Sequence, residues 1–242
     1  MRITNSAASA VALLLMALPG GSASASSFNL APIRLEMDRA HQTGVLTLHN
    51  DGDAPVTIQA QPVAWSQPEG SDRYEATREL LVTPPIFVVP AHAEQIVRVA
   101  RRATAAVSQE QSYRLFFEEV PEAVPAGVTG LRVALRIGVP VFFAVPAAKA
   151  ELTFSARWTA DGTLELAAEN HGGGHVQITD FELTGPNGGV IARVGGSRYV
   201  LAGATTRWSL KAAAGTARSE RLKLSGHGDS GAIEADVACA AP

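Results

Sequence analysis

Residues 131–141 read Leu131-Arg132-Val133-Ala134-Leu135-Arg136-Ile137-Gly138-Val139-Pro140-Val141, and every second side chain is aliphatic. Alternate residues of a strand point to opposite faces. Leu131, Val133, Leu135, Ile137, Val139 and Val141 therefore form one wholly aliphatic face, and Arg132, Ala134, Arg136, Gly138 and Pro140 form the other. Pro140 has no N–H for a ladder, which places the strand at a sheet edge or a bulge. Long apolar edges attract other chains through their unpaired N–H and C=O groups, and the protection visible here is confined to Arg132, Arg136, Gly138 and Pro140. Two readings stay open on pattern alone. Either all six aliphatic side chains fill the core of their own domain and a neighbouring domain caps the edge, or the edge is a binding site.

Working outward from this strand, period-two runs separated by turn residues dominate the chain, and capped helical patterns are nearly absent. Before it lie Val45 to Leu48, ending at Asn50-Asp51-Gly52-Asp53, then Val56 to Val63, Ile86 to Val89, Ile96 to Val99 and Tyr113 to Val120. This spacing predicts a seven-strand sandwich closed by Leu131 to Val145. After Pro146 a second series runs through Leu152 to Trp158, Leu164 to Ala168, Val176 to Leu183, Tyr199 to Leu201, Thr206 to Leu210, Glu220 to Leu224 and Ala232 to Val237. The expectation is an all-β chain of two immunoglobulin-like sandwich domains, residues 26–146 and 147–242, with Pro146-Ala147-Ala148 as the linker and a cleft where they meet.

Composition excludes several classes. The 242 residues are 46% apolar and 18% charged, with 20 Lys and Arg against 23 Asp and Glu. A net charge of −3 without a basic block gives no source for phosphate-driven nucleic-acid binding. Cys239 is the sole cysteine, so neither an internal disulfide nor a multi-thiolate metal site can form. Residues 1–25 carry Arg2, an apolar run from Ala7 to Leu18 and Ala23-Ser24-Ala25, the three regions of a secretory signal peptide cleaved after Ala25. The run is shorter than the ~20 residues that span a bilayer, and no later segment is long and apolar enough. The exported chain is expected to be soluble outside the cytoplasm, without membrane insertion.

Ala31-Pro32-Ile33-Arg34-Leu35, then Leu81-Val82-Thr83-Pro84-Pro85-Ile86-Phe87 and Gln95-Ile96-Val97-Arg98-Val99, stand in an order that resembles one family, the periplasmic pilus-assembly chaperones of the PapD type. The first is similar to the family's first strand with a cleft arginine. The second and third are similar to its most recognisable segment, with Thr83, Pro84 and Pro85 as a structural motif. Tyr113 to Pro121 resembles the strand before the chaperone's edge strand, and Tyr199-Val200-Leu201-Ala202-Gly203 with Arg207-Trp208 resembles a late signature.

The resemblance implies two immunoglobulin-like domains arranged in an L. It implies a non-enzymatic periplasmic chaperone without cofactors that completes a pilin or fimbrial subunit by donor-strand complementation and delivers it to an outer-membrane usher. Leu131, Val133, Leu135, Ile137 and Val139 would be the donated side chains, and free molecules would have reason to self-associate over the edge. In the family a cleft arginine and an edge-strand lysine hold the client's C-terminal carboxylate, a contact suited to guanidinium geometry. Arg34 matches the first. The chain has no Lys before Lys149, so Arg136 or Lys149 takes the second charge, Arg34 acts alone, or the terminus is held differently. This departure resembles the divergent, archaic-type branch. On residue type alone, Arg34 is also a strand arginine that could pair locally with Glu36 or Asp38.

Other readings compete. The Gly-Asp-Ser-Gly string at 228–231 surrounds the nucleophile of chymotrypsin-like proteases, but here it reads as a Gly-rich turn with no histidine base in a resembling context. His171 and His175 would need a helix to share a metal, and the three glycines between them oppose one. Glu118 and Glu119 point to opposite faces of a strand and cannot act as a glycosidase pair. Trp65, Trp158, Trp208 and Tyr199 suit core or inter-domain packing better than a sugar platform. The rival from another class is a secreted immunoglobulin-like module that binds a glycan or a surface protein.

Overall fold

The computed structural model describes residues 28–102, 107–121, 133–212 and 218–240. The segment expected as a signal peptide, residues 1–25, and Leu131 of the edge strand lie outside them. Among the described residues no helix is long and apolar enough to cross a membrane.

Ten strands build the first half: β1 Phe28–Ala31, β2 Leu35–Met37, β3 Thr43–Asn50, β4 Val56–Ser66, β5 Arg73–Ala76, β6 Leu80–Thr83, β7 Ile86–Val89, β8 Glu94–Arg101, β9 Gln111–Glu119 and β10 Arg136–Phe143. They form a four-stranded sheet, β1-β3-β8-β6, packed against a six-stranded sheet, β2-β10-β9-β4-β5, in which β7 also pairs with β4. The count exceeds the expected seven by three, because two long edges are each split between sheets and β5 adds a short strand beside β4. Around Pro32 the chain leaves β3 and re-enters as β2 beside β10. Thr83-Pro84-Pro85 does the same between β6 and β7. Proline suits both crossings because it has no N–H to leave unpaired, and the Pro85 carbonyl still accepts the Ala60 N–H at 2.8 Å. Between the sheets, alternate residues such as Leu46, Leu48, Ile58, Val97, Leu115 and Phe117 are fully buried in one core.

The second half has seven strands: β11 Leu152–Trp158, β12 Thr163–Asn170, β13 Val176–Thr184, β14 Val190–Val200, β15 Thr205–Lys211, β16 Arg221–Gly228 and β17 Gly231–Ala240. Hydrogen bonding is continuous in the order β14-β13-β16-β17-β11-β12-β15, and the sheet folds over a single separate core that includes Trp158, Trp208, Phe181, Leu166 and Leu222. Most of β14 has no period-two signal because Gly195, Gly196 and Ser197 interrupt it and the ladder with β13 shifts register.

The halves share one device. Asn50, at the end of β3, and Asn170, at the end of β12, are both buried, and each Nδ2 donates to three backbone carbonyls. Each Oδ1 accepts the N–H of the glycine two residues on, Gly52 or Gly172. At Gly172 only glycine fits, since a Cβ would stand 2.1 Å from the Lys149 carbonyl oxygen.

The junction is aromatic. Trp65, Phe142 and Leu201 form a small buried cluster with Tyr199 and Ala204 against it. The His175 ring stacks on Phe142 at 3.5 Å and 11°, and its Nδ1 lies 2.7 Å from Glu110 Oε1, with both side chains nearly closed to solvent. Gln67 completes the seam: its Nε2 donates to the Tyr199 carbonyl at 2.8 Å, and its Oε1 accepts the Leu201 N–H at 3.0 Å. His171 lies apart, exposed beside Glu169.

Candidate functional site

β10 is paired on one side along its whole length and on the other along less than half of it. Residues 136–143 oppose 111–118 of β9, antiparallel. On the other side only Val141, Phe142 and Phe143 have partners, in Leu35, Glu36 and Met37 of β2, and that pairing is parallel. From Pro140 back to Val133 the second edge faces no strand among the described residues.

The side chains follow the same division. The row that points toward the core of the first half is sealed at Val141 and Val139, the latter 2% exposed, half-covered at Ile137 and Leu135, and open at Val133, 62% exposed. The expected donor set is therefore divided. Val139 belongs to its own core, while Ile137 and Leu135 are only partly buried against that core and Val133 is open. On the opposite face Gly138 leaves a flat place where Phe116 crosses, since a Cβ there would come within 2.8 Å of its ring. Phe142 is pinned under the second half, with Trp65 6.0 Å away.

Arg34 stands where the open edge ends, one residue before the pair Leu35 and Val141. Its Nη2 lies 2.9 Å from Glu36 Oε1, the local partner considered from sequence. Its Nη1 lies 2.7 Å from Asp229 Oδ2 in the turn between β16 and β17, a contact across the two halves. Partial burial would lower the Arg34 pKa, but the hydrogen bonds to Asp229 and Tyr199 and the charge of Glu36 outweigh it and raise it. The Gly-Asp-Ser-Gly string is this turn, and its aspartate is occupied by an arginine.

Arg136 is not brought to Arg34. It sits at the far end of β10, about 13 Å or more from the β2 junction at ~3.3 Å per residue. There it faces Glu118 at 3.6 Å and lies over the Phe116 ring at 3.9 Å. Lys149 is exposed beyond the Pro146-Ala147 turn. Arg114 of β9, opposite Pro140 in the ladder, is a further cation near the junction of the halves. Its guanidinium lies 4.1 Å over the Trp65 ring and 6.0 Å from the Tyr199 ring, beside a cavity of about 490 Å³. The sequence candidates for a second charge, Arg136 and Lys149, leave Arg114 out, although the alternation of buried Tyr113, Leu115 and Phe117 already places it on the other face.

Residues 27–148, half of the chain, match the family described as pili and flagellar-assembly chaperone, PapD N-terminal domain. Among solved structures, one similar chain comes from the chaperone–tip adhesion subunit pre-assembly complex CsuC–CsuE of the archaic Csu pili of Acinetobacter baumannii. The likeness is 20% identity over 88% of this chain and 99% of that one, with a TM-score of 0.66. The E. coli chaperone DraB is similar at 18% identity, 88% and 97% coverage and a TM-score of 0.58. The Salmonella enterica SafA pilin and SafB chaperone complex matches at 18% identity, 86% and 93% coverage and a TM-score of 0.56. No curated protein sequence matches. With its family domain spanning the whole first sandwich and its two-sandwich fold shared with pilus chaperones, this chain belongs to the pili and flagellar-assembly chaperones of the PapD type.

Proposed function

We propose that the chain, exported to the periplasm after removal of residues 1–25, binds pilin or fimbrial subunits by adding the open part of β10 to their incomplete sheet. The loaded protein then delivers its subunit to an outer-membrane usher. Residues 26–146 and 147–242 act as its two domains, and its work is binding, with no reaction of its own.

One observation carries this reading: among the described residues β10 is a half-paired strand whose core-facing row runs out of its own core, from partly buried Ile137 and Leu135 to exposed Val133. A client strand laid along 133–140 would gain main-chain hydrogen bonds while these side chains enter its groove. Full burial of an aliphatic side chain contributes about 1.5–3 kcal/mol, so three supply several kcal/mol as an upper bound.

The direction of addition follows from β2. A client on the open edge occupies the same sheet position as β2, upstream of it, so one of its ends runs against Arg34. For a strand parallel to β10, that end is the C-terminus. A guanidinium favours a carboxylate over an ammonium, which selects parallel addition with Arg34 as the anchor.

Co-expression with small secreted β-rich subunits encoded beside it tests the proposal. Subunits are expected to stay soluble with the wild-type chain and to be lost with Leu135→Arg, which places a charge in the client's groove. Equal recovery of soluble, assembly-competent subunits with the wild type, with Leu135→Arg and without the protein would refute it.

A further inference from the structure

The chain has six histidines, and five of them lie beside a carboxylate of their own half: His41 by Asp38, His49 by Asp51 and Glu94, His92 by Asp53, His171 by Glu169 and His227 by Asp180. All five side chains are open to solvent, His49 the least at 33%, and pairs of that kind are screened and weak. Among the described residues His175 alone reaches a carboxylate of the other half, and that pair is closed, with side chains only 8% and 5% exposed. Glu110 is tied to the second half at three points. Its N–H donates to the Gly173 carbonyl at 3.1 Å, and its Oε1 accepts the His175 backbone N–H at 3.1 Å and lies 2.7 Å from His175 Nδ1.

An oxygen that already accepts one N–H acts as acceptor for the ring as well, which assigns the hydrogen of the neutral imidazole to Nδ1 and sends a second proton to Nε2. The charged ring then meets two favourable neighbours, the Glu110 carboxylate and the face of Phe142, on which it is stacked at 3.5 Å and 11°. The other titratable groups around it are the Tyr199 phenol of β14, with its ring 5.6 Å away and itself hydrogen-bonded to Arg34, and, on adjoining segments, the exposed His171 and Lys149. Protonation exchanges a neutral hydrogen bond to Glu110 for a charge-assisted one, roughly twice as strong. The remaining ties across the seam keep their character near neutrality. Arg34 and Asp229 form an arginine–carboxylate pair, and Gln67 holds the Tyr199 carbonyl, the Leu201 N–H and the Thr206 hydroxyl through a neutral amide.

We propose that His175 and Glu110 form a proton-operated latch between the two halves, held more firmly when the imidazole is charged and eased as pH rises through the imidazole range. The sign follows from the partner. An imidazole that gains a carboxylate in the assembled junction contributes most where it is protonated, and the contribution falls away as the proton is lost. Protonation of Glu110 in stronger acid removes it too, so the latch works between the carboxylate and imidazole titrations. Its consequence lies in what it fastens: Glu110 adjoins the first residue of β9, and Phe142 under the His175 ring belongs to the covered end of β10. One proton thus governs how firmly the second half is held against the two strands that carry the open edge. This holds whether or not that edge receives a client strand.

Amide hydrogen exchange of the full chain from about pH 8 to about pH 5, corrected for the intrinsic pH dependence of exchange, tests the latch. The Glu110 and His175 N–H groups should gain about tenfold in protection as pH falls, the effect of a charged hydrogen bond replacing a neutral one. The Leu201 N–H, held by Gln67 elsewhere in the seam, should gain with them because it is freed when the halves part. The His175 ring resonances should titrate with the same midpoint as the Leu201 gain. Glu110→Gln keeps an oxygen for both N–H groups and removes the charge, so all three gains should shrink to less than about twofold. His175→Phe keeps a ring on Phe142 and removes the titration, and the Leu201 protection should then be independent of pH. Unchanged protection in the wild type, a gain confined to Glu110 and His175, a ring midpoint that differs from the Leu201 midpoint, or a gain that persists in Glu110→Gln would overturn the latch.

Discussion

β10 and β17, the last strands of the two halves, are paired in the same way and dressed differently. β17 is antiparallel to β16 along its length and takes a parallel neighbour, β11, only at Ala238, Cys239 and Ala240, just as β10 takes β2 only at its end. Among the described residues the fold thus leaves the upstream part of both strands open. β17 begins immediately after the Asp229-Ser230 turn, carries Ile233 and Ala235 in its inward row and shows Glu234 and Asp236 to solvent. β10 continues upstream through Leu135 to Val133 with nothing acidic of its own. An open edge is a property of the topology, and whether it recruits a strand is decided by side chains: acids and small residues blunt one, and an overhanging aliphatic row leaves the other available.

The largest effect should come from confusing the two parts of β10. Val139→Asp places an unpaired charge in the sealed core and should cost at least about 4 kcal/mol, enough to unfold the first half or bring it close to unfolding. Val133→Asp, six residues upstream on the same face, should change stability by less than about 0.5 kcal/mol and yet abolish subunit capture. Denaturant unfolding beside a capture assay checks both. Equal destabilisation by the two would mean that the row is one core throughout and that the contrast within β10 is wrong.

A smaller effect is expected from making β17 resemble β10. Glu234→Val combined with Asp236→Val removes the charges on its outer face and should produce weak, concentration-dependent self-association by sedimentation, with the fold intact. A variant that stays monomeric at high concentration would show that the overhang, and not the acids, distinguishes the two edges.

Much of this contrast was legible in the sequence. The strict alternation from Leu131 to Val141 announces a strand with one greasy face, and Pro140 announces an edge. Where the core stops along that face was not legible, because Val139 and Ile137 look alike in sequence although one is buried and the other only half-covered. β2 itself is three residues long and offers no periodicity to read. Arg34 was found through its neighbours in the motif, whereas its partner Asp229 lies 195 positions away inside a string that suggested different chemistry. Arg114 shows the same limit, since its place in the cleft depends on register, which no single strand reveals. The contact between the junction residues Phe142 and His175 was likewise not legible, because the stacking between them exists only once the halves meet.

The smallest perturbation tests whether the covered end of β17 is as closed as the covered end of β10. Cys239 sits there, paired opposite Ala156 of β11 and packed in the second core, and burial raises its thiol pKa above the ordinary value. A raised pKa means less thiolate at neutral pH, and a covered sulfur cannot meet a reagent until the strand opens. Maleimide labelling of the native protein should therefore be slow and should accelerate only as denaturant opens the second half or as pH rises past the usual thiol range. In Val133→Cys the introduced thiol should label at close to the rate of an unfolded peptide, and bound subunit should slow it while leaving Cys239 unaffected. Rapid labelling of Cys239 in the native chain would mean that the parallel pairing with β11 opens readily. The two strand ends would then differ in their cover as well as in their side chains.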